Sequence, residues 1–248
     1  MPLALIIAML LSLTIKLQIN TRWLYSAILI SLFTMIPFIS YIDVIAQLFD
    51  SRGLELMFSM IYGLIYILII ITLWSIHFKE NKRYALYCAV AIFVLVATQN
   101  GANFLVYITG YWRQIGAVPS LFVGVALGVG ICISIGILLY FITVLSDDNI
   151  YPASSSLLLL FFGAGQINHA SNQLLQIDVL PESQLLWDAN FLLPESSEIG
   201  YFFSALFGYD ATPTLFQALL YVGLLFIPMA VFRLHKGKFD LHNIQGNS

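Results

Sequence analysis

Seven apolar segments, most of them about twenty residues long, alternate with short polar connections along this chain of 248 residues. A helix needs about 20 mostly apolar residues to cross a bilayer. Only 9% of the residues are charged, whereas soluble domains carry about 25%. We therefore predict an all-α membrane helix bundle, a single transmembrane domain over residues 1–248, with helices at about 3–18, 23–42, 54–77, 84–111, 118–145, 151–175 and 214–234.

The basic residues cluster at alternate connections. Those after the first, third and seventh segments hold most of the Lys and Arg residues: Lys16, Arg22, Lys79, Lys82, Arg83, Arg233, Lys236 and Lys238. Seven crossings would place all of these on one side, and basic residues concentrate on the cytoplasmic side of membrane proteins. The pattern predicts an outer N-terminus and an inner C-terminus in a multi-pass protein of the cell membrane, with the bacterial inner membrane expected.

The connection 176–213 is the longest one and is acidic, with no Lys or Arg. Ser197 suits the N-cap position, so residues 197–207 are predicted to form a short helix lying in the membrane interface. Asp188, Glu195 and Glu198 are candidates for an outer mouth that gathers cations through its local field. Two alternatives stay open. The three acids could be solvated surface residues that gather no cations, and the connection could be a packed cap over the bundle instead of a lid or funnel.

Residues 98–103, Thr-Gln-Asn-Gly-Ala-Asn, place amide side chains in the middle of the fourth segment. A polar side chain at hydrocarbon depth is unfavourable unless the protein satisfies it. Gln99, Asn100 and Asn103 have helical spacings that can bring all three to one face. Gly101 would let a neighbouring helix approach closely.

A second polar cluster lies near the end of the sixth segment: Gln166, Asn168, His169, Ser171, Asn172 and Gln173. Asn168 and Asn172 share a helix face, as do His169 and Gln173. We expect the two clusters to face each other. Their amide oxygens could line a hydrated path for a cation, although they carry no charge. An interhelical hydrogen-bond network is the alternative interpretation.

Small residues mark two helix surfaces for close packing. Gly124 and Gly128 are spaced four apart on the fifth segment, and Gly163 and Gly165 lie on the sixth. Such patterns indicate helix contact rather than chemistry.

Enzyme signatures are missing from the sequence. It contains no Walker loop, Rossmann fingerprint, His-Glu-x-x-His motif or nucleophile elbow. Cys88 and Cys132 form no Cys-x-x-Cys pair, and no histidine or carboxylate is spaced to share a transition metal with His169. We predict no enzyme activity, no cofactor and no nucleic-acid partner, and assign no metal ligand.

The second half of the chain resembles the oxidase-dependent iron permease family of high-affinity iron transporters. The likeness lies in Gly163-Ala-Gly165, Trp187-Asp188, Gly200, Leu206-Phe-Gly-Tyr209 and Pro213, and the order and spacing fit from about residue 54 to residue 233. This resemblance implies seven helices with an outer N-terminus. It also implies iron as the transported ion.

The resemblance identifies the chain as a divergent member that lacks the Arg-Glu-x-x-Glu motifs through which the family moves iron. The motif of helix four aligns with 99–103, where Gln replaces Arg and Asn replaces both Glu; the motif of helix one would fall before Met1. The family's His-Glu pair aligns with Ser171-Asn172, beside His169, and an acid of helix three with Tyr62-Gly63. Without carboxylates, little offsets the cost of desolvating a ferric ion.

These observations favour a role in iron transport, as a divergent permease or as an accessory subunit. The expected path residues are Gln99, Asn100, Asn103, Asn168, His169 and Asn172. Expected partners are the lipid bilayer, an oxidase, cytochrome or periplasmic iron-binding protein, and further subunits in a homo- or hetero-oligomer. The alternatives are a transporter of a less charged solute and a non-transporting scaffold that docks a periplasmic iron or redox protein.

Overall fold

The computed structural model describes residues 1–77, 82–112, 118–149, 153–181 and 183–245. In these ranges the chain is all-α, with one isolated β-bridge between Leu185 and Thr214. The prediction of an all-α fold is therefore confirmed for these residues. The helices are α1 (Pro2–Lys16), α2 (Trp23–Ala46), α3 (Leu48–Ser51), α4 (Gly53–His77), α5 (Lys82–Trp112), α6 (Val118–Asn149), α7 (Ser154–Gln176), α8 (Glu198–Phe207) and α9 (Leu215–Gln245).

Most helix ends lie within a few residues of their predicted positions. The largest difference is in α9, which continues to Gln245 instead of ending at residue 234, because a helix can extend past its apolar part. Residues 151 and 152, predicted to open the sixth helix, lie outside the described residues. The predicted short helix is present as α8, and the Ser197 hydroxyl caps it by accepting the N–H of Gly200 at 3.0 Å.

Four helical stretches are long and apolar enough to cross a membrane: Trp23–Ala46, Gly53–His77, Lys82–Leu105 and Ser120–Asn149. Helix α1 and the apolar part of α9, Leu215–Val231, are shorter. Helix α7 has 23 residues. It is not among the four, and we attribute this to the amide and hydroxyl residues of its second half, which lower its hydropathy. Length and composition thus support a membrane protein.

Helix α4 is central to the packing. It packs against α5 on one side and α7 on the other, and α5 and α7 make no direct packing contact in the described part of the chain. Helix α1 closes the centre by contacting α5, α6 and α7, and its Leu5, Ile6, Met9 and Leu10 are fully buried. By contrast, no residue in the apolar window of α6 is buried. Most of the core therefore lies among α1, α4, α5 and α7, and α6 presents most of its apolar side chains outward, with Leu139 as a buried exception.

Of the two predicted small-residue surfaces, one makes a close helix contact and the other does not. A Cβ added at Gly163 would lie 3.1 Å from Ile69 and 3.2 Å from Tyr66, so α7 does approach α4 closely there. At Gly124 and Gly128 an added Cβ would meet no atom within 4 Å. The prediction of a close helix contact at α6 is therefore wrong within this chain, because α1 packs elsewhere along that helix.

Several contacts gather helix termini at one end of the bundle. Lys16, at the end of α1, pairs with Asp147 near the end of α6 at 3.2 Å. The Lys82 ammonium, at the start of α5, donates to the Leu17 carbonyl at 2.9 Å. The start of α7 joins the same group, since the Ser155 N–H donates to Asp147 at 3.3 Å. The ends of α1 and α6 and the starts of α5 and α7 therefore lie together.

Candidate functional site

The three predicted amides of α5 lie in different environments. Gln99 is 2% exposed. Asn100 is half-buried, donates to the Val96 carbonyl of its own helix at 2.9 Å, and lines a cleft of about 850 Å³ between α1, α5 and α6. Asn103 is exposed. The expectation that all three share one environment is therefore wrong. Asn100 points about 100° away from Gln99 around the helix, and Asn103, one turn after Gln99, is not covered as Gln99 is.

The two polar clusters are connected through α4 and do not face each other directly. Tyr62 of α4 shares a side-chain hydrogen bond with Gln99 of α5. On its other side, the Tyr62 ring lies against the His169 imidazole of α7, with centroids 5.8 Å apart and planes tilted by 37°. We call the set Gln99, Tyr62 and His169 the polar column. It replaces the expected direct contact, because α4 separates α5 from α7.

One polar atom in this column lacks a partner. The side-chain oxygen of Gln99 is buried and accepts no hydrogen bond from the described residues. A buried acceptor without a donor costs about 1–3 kcal/mol. Gln99 is therefore the member of the column with spare capacity to bind water or a passing solute.

The polar residues of α7 hold the 176–213 connection against the bundle. The Asn168 amide donates to the Gly208 carbonyl at 2.8 Å, and the His169 Nε2 lies 3.2 Å from the Ser204 carbonyl oxygen. Asn172 donates to the Asp210 carboxylate at 3.2 Å. These bonds use the amide nitrogens of Asn168 and Asn172 and one ring nitrogen of His169 to hold α8 and the turn after it, which supports the packed-cap alternative for this part of the connection.

Glycine makes that attachment sterically feasible. Gly208 ends α8 in the left-handed conformation with φ of 67°, which glycine adopts without strain. It lies directly against α7, where a Cβ added at Gly165 would be 2.6 Å from the Gly208 nitrogen. Gly165 and Gly208, both in the pattern of the resemblance, thus allow the backbones of α7 and of the α8 terminus to touch.

The three predicted outer-mouth acids lie in different settings. Asp188 accepts the N–H of Asn190 at 2.9 Å, and Glu198 is exposed in the first turn of α8. Glu195 accepts the Ala211 N–H at 2.7 Å and interacts with Asp210. Burial raises the pKa of Glu195; the Ala211 N–H lowers it, and the neighbouring Asp210 carboxyl raises it further. All three acids are exposed, and Glu195 differs from the other two in forming a structural pair with Asp210.

Two further residues complete the attachment, and sequence analysis does not place either in the site. Gln217 of α9 donates from its amide to the Asn172 side-chain oxygen and accepts from the Thr214 N–H at 2.8 Å. Asp210 receives the Asn172 amide and the Thr212 N–H. Gln217 is an amide in the otherwise apolar segment 214–234. The same kind of signal identifies Gln99, so the sequence could also have identified Gln217. Asp210 carries no such signal within an acidic loop.

In the part of the chain that the structure describes, no three His, Cys, Asp or Glu side chains come together as a group that could hold a metal ion. The column and the attachment of the 176–213 connection are built from amides, hydroxyls, a phenol and an imidazole, joined to the Glu195–Asp210 pair. Such groups can orient water and hydrogen-bond a polar solute.

Comparison with family models, with curated proteins and with solved structures gave no match to this chain.

Proposed function

We propose that the chain crosses the membrane seven times, with the N-terminus outside and the C-terminus inside, in a bacterial inner membrane. The crossings would be α1, α2, α4, α5, α6, α7 and α9. The contacts of Lys16 with Asp147 and of Lys82 with Leu17 support this arrangement, because it requires those termini on one side. The concentration of basic residues at that end assigns it to the cytoplasm.

The proposed function is a part in iron transport, as a divergent member of the oxidase-dependent iron permease family. One observation carries this proposal. The resemblance assigns three separate segments to the family's ion path, around Gln99, around Tyr62 and around His169. Although far apart in sequence, these three residues form one contiguous column across α5, α4 and α7.

The chemistry of the column favours an accessory subunit over a permease that works alone. Coulomb attraction between a cation and a carboxylate amounts to several kcal/mol at contact, even at moderate effective dielectric. Gln99, Tyr62 and His169 offer no carboxylate. A competent permease beside this chain, or an oxidase, cytochrome or periplasmic iron-binding protein at its outer face, would then supply the charged groups.

Radioactive iron uptake into proteoliposomes tests this proposal. We expect little uptake with this protein alone and an increase when it joins a carboxylate-bearing permease. If Gln99→Leu abolishes this increase in uptake and the exposed control Asn103→Leu does not, the increase depends on the column. Uptake in cells that does not change when the protein is deleted would overturn the role in iron transport.

A second candidate is a transporter of a less charged solute, and the neutral lining of the column favours it. Hydrogen-bonding groups without charge suit a polar or monovalent solute better than a trivalent ion. Solute counterflow in the same proteoliposomes separates the two, since this candidate predicts transport without iron or a partner. The scaffold alternative predicts neither activity, together with binding of a periplasmic protein to the firmly attached outer connection.

A further inference from the structure

A small cleft opens where α7, α8 and α9 meet, next to the His169 end of the polar column. Its volume is about 260 Å³. A water molecule occupies about 30 Å³ and drug-sized ligands use about 300–1,000 Å³, so the cleft fits a ligand of only a few heavy atoms. The lining residues that matter here are Asn168, Trp187, Tyr209, Asp210 and Tyr221.

The polar side of the cleft carries negative charge. Asp210 lines the cleft and interacts with the Glu195 carboxyl beside it. The connection 176–213 has no Lys or Arg, and the ion pair found among the described residues joins Lys16 to Asp147 at the other end. No Lys or Arg within the described ranges pairs with Asp210, and the basic group that interacts with it there is the His169 imidazole.

An amide side chain with a free acceptor oxygen lies in the wall of the same cleft. Asn168 is 7% exposed and its amide nitrogen donates to Gly208 at 2.8 Å. Its side-chain oxygen accepts none of the hydrogen bonds formed within the described ranges. A carbonyl oxygen in that position needs a donor. Trp187, Tyr209 and Tyr221 provide aromatic surface on the remaining walls.

We propose that this cleft binds a small primary ammonium group. Asp210 would provide the counter-charge, the Asn168 oxygen would accept an N–H, and the aromatic side chains would cover the adjoining methylene groups. The ligand is a free alkylamine or the ethanolamine headgroup of a lipid, which share this chemistry. This inference does not depend on the role in iron transport.

Calorimetric titration of the full protein with ethanolamine, in phosphatidylglycerol nanodiscs, tests the assignment. Ethylene glycol, which replaces the ammonium by a hydroxyl, and tetramethylammonium, which lacks N–H donors, are the matched ligands. We expect ethanolamine to bind at least tenfold more tightly than either. Equal binding of ethanolamine and ethylene glycol, or no binding of ethanolamine, would overturn the proposal without any variant that risks misfolding.

Variants then locate the site. Asp210→Asn should weaken ethanolamine binding at least tenfold, whereas Glu198→Gln, which removes an exposed carboxylate outside the cleft, should leave it unchanged. Equal weakening by both would mean nonspecific surface attraction and would overturn the site. Nanodiscs with phosphatidylethanolamine distinguish the source: weaker binding of added ethanolamine there supports an occupying headgroup, and unchanged binding supports a free amine.

Discussion

Tyr62 of α4 and His169 of α7 lie ring against ring, with centroids 5.8 Å apart, and Tyr62 also hydrogen-bonds Gln99 of α5. One side chain on the central helix thus joins polar groups from two helices that do not touch each other directly among the described residues. This makes Tyr62 the structural link between the amide positions of α5 and the residues of α7 that hold the 176–213 connection.

Removing the Tyr62 hydroxyl should destabilise the bundle by about 1 kcal/mol, because Tyr62→Phe leaves the buried Gln99 amide without its partner. Combining it with Gln99→Leu removes both polar groups. The double variant should then lose less stability than the sum of the two single variants, by about 1 kcal/mol. Unfolding in mixed detergent micelles measures all three. Tyr87→Phe, on the exposed side of α5, is the control, and additive effects would argue against the pair.

The contact between Gly165 and Gly208 predicts a sharp difference between two glycines. Gly165→Ala would place a Cβ 2.6 Å from the Gly208 nitrogen, where backbone must move. We expect a loss of about 1–3 kcal/mol and detachment of α8, seen as faster proteolysis of the 176–213 connection. Gly128→Ala meets no atom within 4 Å and should be neutral or slightly stabilising. Similar effects of the two substitutions would contradict the close approach.

Hydropathy was sufficient to predict the long helices, because a membrane helix must be apolar over a fixed length. It did not predict the four-residue helix α3, which is too short to give such a signal. The Ser197 cap of α8 was also predictable, since capping depends on local spacing alone. The end of α9 was not, because beyond residue 234 the pattern no longer has to match a membrane.

The relative positions of polar residues were harder to predict. Helical spacing allows Gln99 and Asn103 a common face, but the packing of α4 decides which of them is covered, and this depends on contacts between distant segments. The same limit applies to Gly124 and Gly128: their spacing suits close packing, yet nothing in the spacing says whether this chain provides the partner. Asn172 and Gln217 meet only because the 176–213 connection folds back.

Cysteine labelling should place Asp148 and Glu198 on opposite sides of the membrane. The experiment uses a background in which Cys88 and Cys132 are replaced by alanine. Asp148→Cys is expected to react only after the membrane is permeabilised, because it lies near Lys16, at the end of the bundle that we propose is cytoplasmic. Glu198→Cys should react in intact cells with a charged reagent. Labelling of both from the same side would contradict the seven-crossing arrangement.

Glu195 should make the attachment of the 176–213 connection dependent on pH. Because its pKa is raised mainly by burial, the folded protein retains a proton that the unfolded chain releases. That contribution is fully present below the ordinary Glu value of 4.5 and is lost as the pH rises through the folded-state pKa.

Glu195→Gln mimics the protonated carboxyl and keeps an acceptor for the Ala211 N–H. It should therefore raise the melting temperature relative to the unmodified protein near neutral pH, and the difference should vanish at acidic pH. Glu198→Gln controls for the change in net charge. A difference between Glu195→Gln and the unmodified protein that is the same at every pH would rule out the titration of Glu195 as its cause.

Transport should distinguish Gln99 from Asn103, although both belong to the same polar segment. Gln99 is buried in the column, with an unpartnered oxygen, and Asn103 is exposed. Gln99→Leu is therefore expected to reduce partner-stimulated iron uptake at least tenfold. Asn103→Leu replaces an exposed amide by an apolar side chain and should leave uptake within about twofold, since polar groups facing lipid are unfavourable. If Asn103→Leu were the more damaging variant, the path would run along the outer face of α5, and the column of Gln99, Tyr62 and His169 would be a packing feature.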